Sequence, residues 1–352
     1  MEEVKIKVCK FRSLYDAMQK CKKNVMWKDS VAGYVKNGLV NCYKLRQQLL
    51  AGTYSIDKYS LFTIYEPKKR EIVSTRMKDR VFQRSLSDHY LYDAITRSFI
   101  YDNCACQTNK GTKFARGRMA CHMQQYFRKH GLDGYVLKCD ISNYFGSTRH
   151  DIAKSILLKT IKDEWVVGHT NVIIDSFNQG DNPDVGMGLG SQITQLTQLT
   201  VLNDMDHIIK ERLGVKHYIR YMDDFYLIHQ DKERLKHCLD EIKTHLESLH
   251  LKLSEKKTQI FPLKQGIKFL GFSFHLTETG KVIKKLNREN VVHEKRRLIK
   301  MKGLVLQGKL TKEHVDTCYT SWKSHAQQGN THNLILSMDQ FYKNLWKEQN
   351  YV

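Results

Sequence analysis

Two adjacent acids, Asp223 and Asp224, interrupt the otherwise apolar and aromatic segment HYIRYMDDFYLIHQ at residues 217–230. The residue pattern on either side predicts a β-hairpin with both acids at its tip. A third acid, Asp140, ends the apolar segment YVLKCD, a pattern typical of a strand followed by a turn. If these strands are neighbours in one sheet, the three carboxylates meet at one edge.

Three carboxylates so close together predict a metal site. They repel one another and raise one another's pKa, so the arrangement is stable only with cations. Two Mg²⁺ ions about 3.5–4 Å apart are the apparatus of in-line phosphoryl transfer. One ion lowers the pKa of the attacking hydroxyl, and the other stabilises the leaving pyrophosphate. Mg²⁺ fits because it takes one or two carboxylates plus substrate phosphates, and Mn²⁺ is an alternative ion. A solvated turn is the ordinary role of an Asp-Asp pair, but these flanking residues require burial.

Charge is the most informative feature of the composition. The chain has 352 residues, enough for two or three domains, and a formal net charge of +21. This balance predicts a polyanionic partner, most often a nucleic acid, with an acidic membrane surface as the weaker alternative. No segment approaches the roughly 18 apolar residues that a membrane-spanning helix needs, so no membrane association is expected.

The nine cysteines do not form the pattern of a disulfide framework. They are scattered and odd in number, and the N-terminus MEEVKIKVCK is charged, unlike a signal peptide. Cys104 and Cys106 are the only close pair, and one C-x-C without a second pair is a poor zinc signal. We therefore predict a reduced, soluble, cytoplasmic protein.

The order of predicted elements is that of an α+β protein. The first sixty residues are helical and basic, and the segment beyond Leu276 turns helical and basic again, which makes Leu276 the best candidate for a domain boundary. Besides the acidic hairpin, strands are predicted at residues 61–66, 71–75, 135–140, 257–261 and 267–275, and helices at 77–95, about 112–129, about 192–213 and 231–249.

Six segments together resemble the motifs of bacterial reverse transcriptases, in the family's own order. PKKREIVSTRMKDRVFQ resembles the basic ribbon of the fingers, DISNYF the first catalytic motif, and IRYMDDFYLI the catalytic hairpin. LGSQITQLTQLTVLNDMD is similar to the helix that packs against primer, template and incoming nucleotide. LKLSEKKT resembles the L-x-L-N-x-x-K-T motif, with Ser for Asn, and FLGF resembles the primer-grip hairpin.

The resemblance covers nearly the whole chain and implies a right-hand polymerase with an antiparallel palm sheet. The implied domains are fingers at 1–115 and 150–185, a catalytic palm at 116–149 and 186–275, and a helical thumb at 276–352. Asp140, Asp223 and Asp224 would be the catalytic acids and would hold the metal ions together with Ile141.

The resemblance also assigns residues to the incoming deoxynucleotide: Lys69, Arg70, Phe145, Leu189, Gly190, Gln195 and Lys257. Arg70 would contact the triphosphate with Lys69 as its helper, and Lys257 would lie near the pyrophosphate. Phe145 would stack under the sugar and reject a 2′-hydroxyl. An ordinary core aromatic is the alternative for Phe145, and a solvated charge is the alternative for Arg70 and Lys257.

Two departures from the family pattern narrow the choice of subfamily. Most bacterial members have Q-G-x-x-x-S-P in the helix motif, whereas this chain has Leu189-Gly190-x-x-x-Thr194-Gln195. That form is similar to the one in diversity-generating retroelement reverse transcriptases, and related forms occur in defence-associated enzymes. The sequence also ends soon after the thumb-like segment at 321–335, so we expect no endonuclease or DNA-binding domain of the kind found in a mobile intron protein.

The implied function is RNA-directed DNA polymerisation, with Mg²⁺ and deoxynucleotides, on a dedicated structured noncoding RNA encoded nearby. Its setting would be a phage-defence system or a retroelement. The alternatives are a low-fidelity diversity-generating enzyme, a non-catalytic maturase-like RNA-binding scaffold, and an RNA-dependent RNA polymerase. Phe145 disfavours the last of these, because RNA polymerases need a small or polar group at that place. The priming mode stays open, as does the need for an accessory protein or a homo-oligomer.

Overall fold

The N-terminal part of the chain is helical, as predicted. The structure is a computed structural model that describes residues 2–65, 70–177 and 184–347. Its first helices are α1 (Glu2–Cys9), α2 (Phe11–Cys21), α3 (Asp29–Lys36) and α4 (Gly38–Ala51). Helix α2 buries Leu14 and Met18, which lie four residues apart on one face. Helix α4 ends at Gly52, whose φ of 68° is the left-handed conformation that glycine adopts most easily.

A two-stranded ribbon and a helical segment follow. Strands β1 (Ser60–Ile64) and β2 (Arg70–Ser74) are antiparallel, with Ile64 opposite Arg70. Both strands were predicted, and residues 66–69 between them lie outside the described residues. The helical segment consists of α5 (Met77–Leu86), a π-helical turn (Ser87–Leu91) and α6 (Tyr92–Thr96).

The central part of the chain alternates helices and strands. Residues 112–177 form α7 (Thr112–His130), β3 (Tyr135–Asp140), α8 (Tyr144–Ser147), α9 (His150–Thr160) and α10 (Glu164–Asp175). Residues 192–262 form α11 (Gln192–Val201), α12 (Asn203–His207), β4 (His217–Tyr221), β5 (Asp224–His229), α13 (Lys232–Ser248) and β6 (Gln259–Pro262). The single helix predicted over 192–213 is wrong in one respect, because the chain leaves helical geometry at Leu202 and forms a π-helical turn at Ile208–Arg212.

The four strands β3 to β6 form one antiparallel sheet in the order β4-β5-β3-β6. The two inner strands are almost wholly buried, and Phe225 and Leu227 of β5 have no exposed surface. Helices α7 and α13 pack on this sheet, and both were predicted from their apolar spacing. The sheet is therefore the platform from which residues at one end of β3 and β5 project.

The C-terminal part of the chain begins with a second sheet rather than with helices. Its strands are β7 (Ile267–Phe269), β8 (Phe272–Leu276) and β9 (Val282–Leu286). The strand predicted over 267–275 is split by a tight turn at Leu270 and Gly271, both with positive φ. Strand β9 was missed, so the expectation of a purely helical segment beyond Leu276 is wrong.

The helices of this part begin at Arg288. They are α14 (Arg288–Leu306), α15 (Lys312–Ala326) and α16 (His332–Leu345). They share a small core of their own around Leu298, Val315 and Met338. None of the helices in the described ranges is both long enough and apolar enough to cross a bilayer.

Candidate active site

The three predicted acids lie at the same end of the sheet. Strands β3 and β5 are direct neighbours, and their register sets Asp140 opposite Asp224. Asp223 lies in the turn between β4 and β5, and its backbone oxygen accepts a hydrogen bond from the Ile141 amide at 3.3 Å. The turn is tight, since Tyr221 already pairs with Asp224. Met222 has a φ of 58°, a conformation that costs a residue with a side chain free energy.

Asp224 carries the clearest electrostatic signature of the site. Burial raises the pKa of its carboxyl to about 7, and the charges of Asp140 and Asp223 add to the rise. Lys138 and a 3.4 Å hydrogen bond from the Tyr226 hydroxyl to Oδ2 oppose it. Among the described residues, the buried Oδ1 has no hydrogen-bond partner. An acceptor buried in this way is costly unless something else binds it.

Lys257 contacts Asp140 directly. Its Nζ lies 2.7 Å from Oδ1 and 2.8 Å from Oδ2, and the lysine side chain is 47 % exposed. Lys257 reaches this position because residues 253 and 254 are tied to the strand end: Ile141 forms a bridge with Leu253, and the Ser254 amide donates to the Asp140 carbonyl. The interpretation of Lys257 as a purely solvated charge does not fit this contact.

The side chains at this strand end supply some, but not all, of the ligands that a divalent cation needs. Within the described residues, no three Asp, Glu, His or Cys side chains are grouped so that they alone could hold a metal ion. The paired Asp140 and Asp224 carboxylates offer two ligands, and Oδ1 of Asp224 accepts no hydrogen bond from any residue that the structure describes. Ile141 has only its backbone carbonyl oxygen to offer. A pair of carboxylates is the usual protein share of a Mg²⁺ site, where substrate phosphates supply further ligands.

Phe145 lies on the short helix α8, which follows β3 after a turn. Asn143, with a left-handed φ of 44°, turns the chain out of β3 into α8. The Phe145 ring is partly buried, and its carbonyl accepts a hydrogen bond from the Met187 amide at 2.7 Å. That bond ties the segment before Leu189 to the end of β3.

The helix motif begins at the end of this segment. Leu189 is half-buried, and Gly190 is exposed with a φ of 113°, which favours glycine. Gln195 lies in the first turn of α11, where its amide donates to the Ser191 carbonyl at 3.2 Å. The Ser191 hydroxyl donates to Gln83 Oε1 at 2.8 Å, so the ribbon-side helix α5 and α11 are joined next to Gly190.

A cationic pocket of about 250 Å³ adjoins Gly190. Its charged lining residues are Lys20, Lys23, Arg80 and Arg84. Asp88 pairs with both Lys20 and Arg84, at 2.7 and 2.9 Å. Among the described residues that line the pocket there is no acid, so the pocket keeps a net positive charge. The buried amide nitrogen of Gln83 also lines it and has no partner among the described residues. The segment DRVFQ, at the end of the sequence that resembles the basic ribbon of the fingers, supplies Arg80 and Gln83.

One of the predicted nucleotide contacts, Lys69, lies outside the described residues. Another, Arg70, is described only through its backbone, which begins β2. Sequence reasoning missed other neighbours of the acids: Lys138 and Tyr226 next to Asp224, and Arg220 beneath the turn. The sequence could have indicated Tyr226, because side chains two residues apart in a strand lie on the same face, and Tyr226 follows Asp224 by two residues.

Comparison with known proteins identifies a family. Residues 58–274 match the family described as reverse transcriptase (RNA-dependent DNA polymerase). No curated protein matches the chain. Among solved structures, the chain is similar to an apo telomerase from Candida tropicalis truncated from its C-terminal domain, with 13% identity and a TM-score of 0.48 over 64% of this chain and 54% of that chain.

A telomerase from Candida albicans in complex with a TWJ fragment of telomeric RNA is also similar, with 11% identity and a TM-score of 0.43. That match covers 76% of this chain and 55% of the other. The chain thus spans about half the length of each of these two structures.

Proposed function

Because the chain belongs to the reverse transcriptase family, whose match covers well over half of it, we propose that it copies RNA into DNA. By family it is an RNA-directed DNA polymerase, a nucleotidyltransferase, and its α+β fold is the right-hand polymerase fold, as predicted. The observation that supports activity best is the pairing of Asp140 with Asp224 at a buried strand end, where Oδ1 of Asp224 has no hydrogen-bond partner in the part of the chain that the structure describes.

The reaction we propose is the attack of a primer 3′-hydroxyl on the α-phosphate of a deoxynucleoside triphosphate, with pyrophosphate as the leaving group. Asp140, Asp223, Asp224 and the Ile141 carbonyl would hold Mg²⁺. When bound, the metal supplies activation of the attacking hydroxyl and charge stabilisation at the phosphates. Lys257 is close enough to Asp140 to neutralise it before substrate arrives. Phe145 would lie under the sugar.

The RNA template would enter past the cationic pocket beside Gly190. A helix N-terminus, four cationic side chains and the Gln83 amide nitrogen, which has no hydrogen-bond partner among the described residues, are suited to a phosphate of the nucleic-acid backbone. The net charge of +21 supports the same class of partner. The division into fingers, palm and thumb at the predicted boundaries is part of this proposal.

The biological setting we propose is bacterial, with a dedicated structured noncoding RNA as template, in phage defence or a retroelement. Leu189, in place of the usual Gln, favours a diversity-generating relative as the second candidate. A cytoplasmic location belongs to the same proposal, and an accessory protein or a second copy of the chain is a further partner that it leaves open.

Primer extension on an RNA template tests the polymerase proposal against the non-catalytic scaffold. Asp223→Asn and Asp140→Asn each remove a charge that a metal ion needs while nearly keeping the shape, so DNA synthesis with Mg²⁺ should be lost. Circular dichroism and RNA affinity should match the wild type. The matched control is Asp240→Asn, at an exposed position of α13 that lies outside the site. Near-normal extension by either acid variant would refute the metal assignment, and an inactive wild type that binds RNA would favour the scaffold.

A further inference from the structure

Arg220 and Asp206 form an ion pair beneath the catalytic turn that has no exposed surface at all. Arg220 Nε donates to Asp206 Oδ1 at 2.7 Å, and Nη2 donates to Oδ2 at 2.5 Å. The Tyr218 hydroxyl donates to the same Oδ1 at 2.6 Å. Burial by itself would lower the pKa of Arg220, but the charge of Asp206 and its hydrogen bonds outweigh burial and raise it. The Arg220 guanidinium therefore keeps its charge inside the protein.

The remaining donors of Arg220 reach two other parts of the chain. Nη1 donates to the carbonyl of Met222 at 3.1 Å, and Nη2 donates to the carbonyl of Leu199 at 3.2 Å. Met222 is the turn residue with positive φ that immediately precedes Asp223. Leu199 lies on α11, the helix that begins next to Gly190. One guanidinium thus connects the catalytic turn, the nucleotide-side helix and, through Asp206, helix α12.

Stability alone does not account for such a pair. Removing two charges from water is costly, and well-packed apolar residues of similar volume are often as stabilising as a buried ion pair. What apolar residues cannot do is donate in fixed directions. The planar guanidinium presents its donors in a rigid fork, so it holds several acceptors at set distances and angles. At Met222 it also supplies a hydrogen bond to a turn whose backbone is strained.

We propose that Arg220 and Asp206 are positioning residues for polymerisation: the buried fork fixes the Met222–Asp223 turn relative to α11, and thereby the Asp223 and Asp224 carboxylates relative to the bound nucleotide. This inference rests on the proposed polymerase function. Neither residue touches substrate. Their loss should lower kcat and raise the Mg²⁺ concentration for half-maximal activity, with little change in the affinity for primer–template.

The decisive variant removes the ion pair without leaving a buried charge. Asp206→Leu, Arg220→Met and Tyr218→Phe are combined, because the tyrosine hydroxyl would otherwise lose its acceptor. Tyr218→Phe alone is the matched control, since it keeps the ion pair and its bond to Met222. Thermal unfolding, primer–template affinity, kcat, KM for the deoxynucleotide and the Mg²⁺ requirement are measured for both variants and the wild type.

We expect the triple variant to unfold near the wild-type temperature and to bind primer–template normally, while its kcat falls by about a hundredfold, as for a small misplacement of reacting groups. A folded triple variant whose kcat is within twofold of wild type would overturn the proposal. If the triple variant does not fold, Arg220→Lys decides. It keeps a cation at Asp206, but one ammonium cannot reach all the acceptors that three separate nitrogens serve. A wild-type kcat in folded Arg220→Lys would equally overturn the proposal, whereas an inactive wild type would instead refute the polymerase function.

Discussion

The ammonium of Lys257 lies within 2.8 Å of both carboxylate oxygens of Asp140. In the ligand-free chain this lysine therefore occupies the place beside Asp140 where a metal cation is expected. A bound Mg²⁺ ion must either displace the ammonium or share the carboxylate with it. The contact also explains how a carboxylate that faces Asp224 is neutralised before any metal arrives.

Lys257→Gln should tighten the binding of Mg²⁺ to the free enzyme, because a competing cation is removed. A partly exposed ion pair is worth about 0.2–1 kcal/mol, so the gain is at most about fivefold in affinity. Polymerase turnover should fall in the same variant if Lys257 also faces the pyrophosphate. Isothermal titration calorimetry with Mg²⁺ measures the first effect. Lys256→Gln, which removes the same charge one residue away, is the control, and equal affinities in the two variants would contradict the competition.

Phe145→Ala should allow the enzyme to incorporate ribonucleotides. The ring follows Asp140 by five residues and packs against the hydrophobic core while staying partly exposed, so truncation opens space on the exposed side, where the proposal places the sugar. Selectivity against one added hydroxyl depends on pocket contacts of this kind. The ratio of kcat/KM for a deoxynucleotide over its ribonucleotide should fall by at least about tenfold. A ratio unchanged from wild type in a folded Phe145→Ala variant would identify the ring as a packing residue, and Phe145→Tyr should keep the wild-type ratio.

The sheet that holds the acids could be predicted because its strands are short, apolar and bounded by polar turns. Strand β3 was predicted with the bounds that the structure has, and the pairing of the two acidic strand ends followed from placing β3 beside the hairpin. Strand β9 could not be predicted in this way. Its sequence VIKKL has no two-residue alternation, and it becomes a strand only by pairing with β8. Tertiary pairing decides such a segment, not local propensity.

The contacts that support the acids could not be predicted from the sequence, for a different reason. An arginine inside an apolar strand is a visible anomaly, but its partner Asp206 is fourteen residues earlier in a helix whose pattern is ordinary. The chain between them passes through the π-helical turn at Ile208–Arg212, which was not predicted. The contact of Lys257 with Asp140 likewise depends on the backbone bond from Ser254 to the Asp140 carbonyl. Spacing along the chain contains no such information.

His217 should make stability depend on pH. Burial, together with the charges of His122, Lys210 and His130, lowers the pKa of its imidazole to about 4 in the folded chain. Unfolding restores a pKa near 6.5, so the stability that this neutral histidine provides is complete above pH 6.5 and is lost as the pH falls towards 4. His217→Phe keeps a ring against Tyr126 and cannot be protonated.

The loss of unfolding free energy between pH 7 and pH 4.5 should therefore be smaller by about 2 kcal/mol in His217→Phe than in the wild type. Urea denaturation at the two pH values measures it. His237→Gln, at an exposed position of α13, is the control that should show the wild-type difference. The same pH dependence in all three proteins would mean that His217 is not the group that titrates.

Leu189 should make this polymerase less selective than relatives with Gln at that place. In those relatives the Gln side chain is expected to hydrogen-bond the incoming nucleotide and its template partner. Leucine has no donor or acceptor and can only pack, and here it is half-buried next to the exposed Gly190. A hydrogen bond to an uncharged group is worth about 0.5–1.5 kcal/mol, and about 1.4 kcal/mol changes a rate tenfold. The misincorporation frequency should therefore change several-fold, not several hundred-fold.

Sequencing cDNA made on one RNA template by the wild type and by Leu189→Gln measures this difference. Leu189→Met is the matched control, since it keeps an apolar side chain of similar volume and should give the wild-type error spectrum. Fewer errors in Leu189→Gln alone would assign the low fidelity to the missing hydrogen bond, because the two variants differ mainly in the amide. Equal error spectra in all three enzymes would mean that Leu189 only packs and has no role in fidelity. In that outcome the strongest argument for a diversity-generating relative, which rests on this one substitution, is lost, and the defence or retroelement setting stands without it.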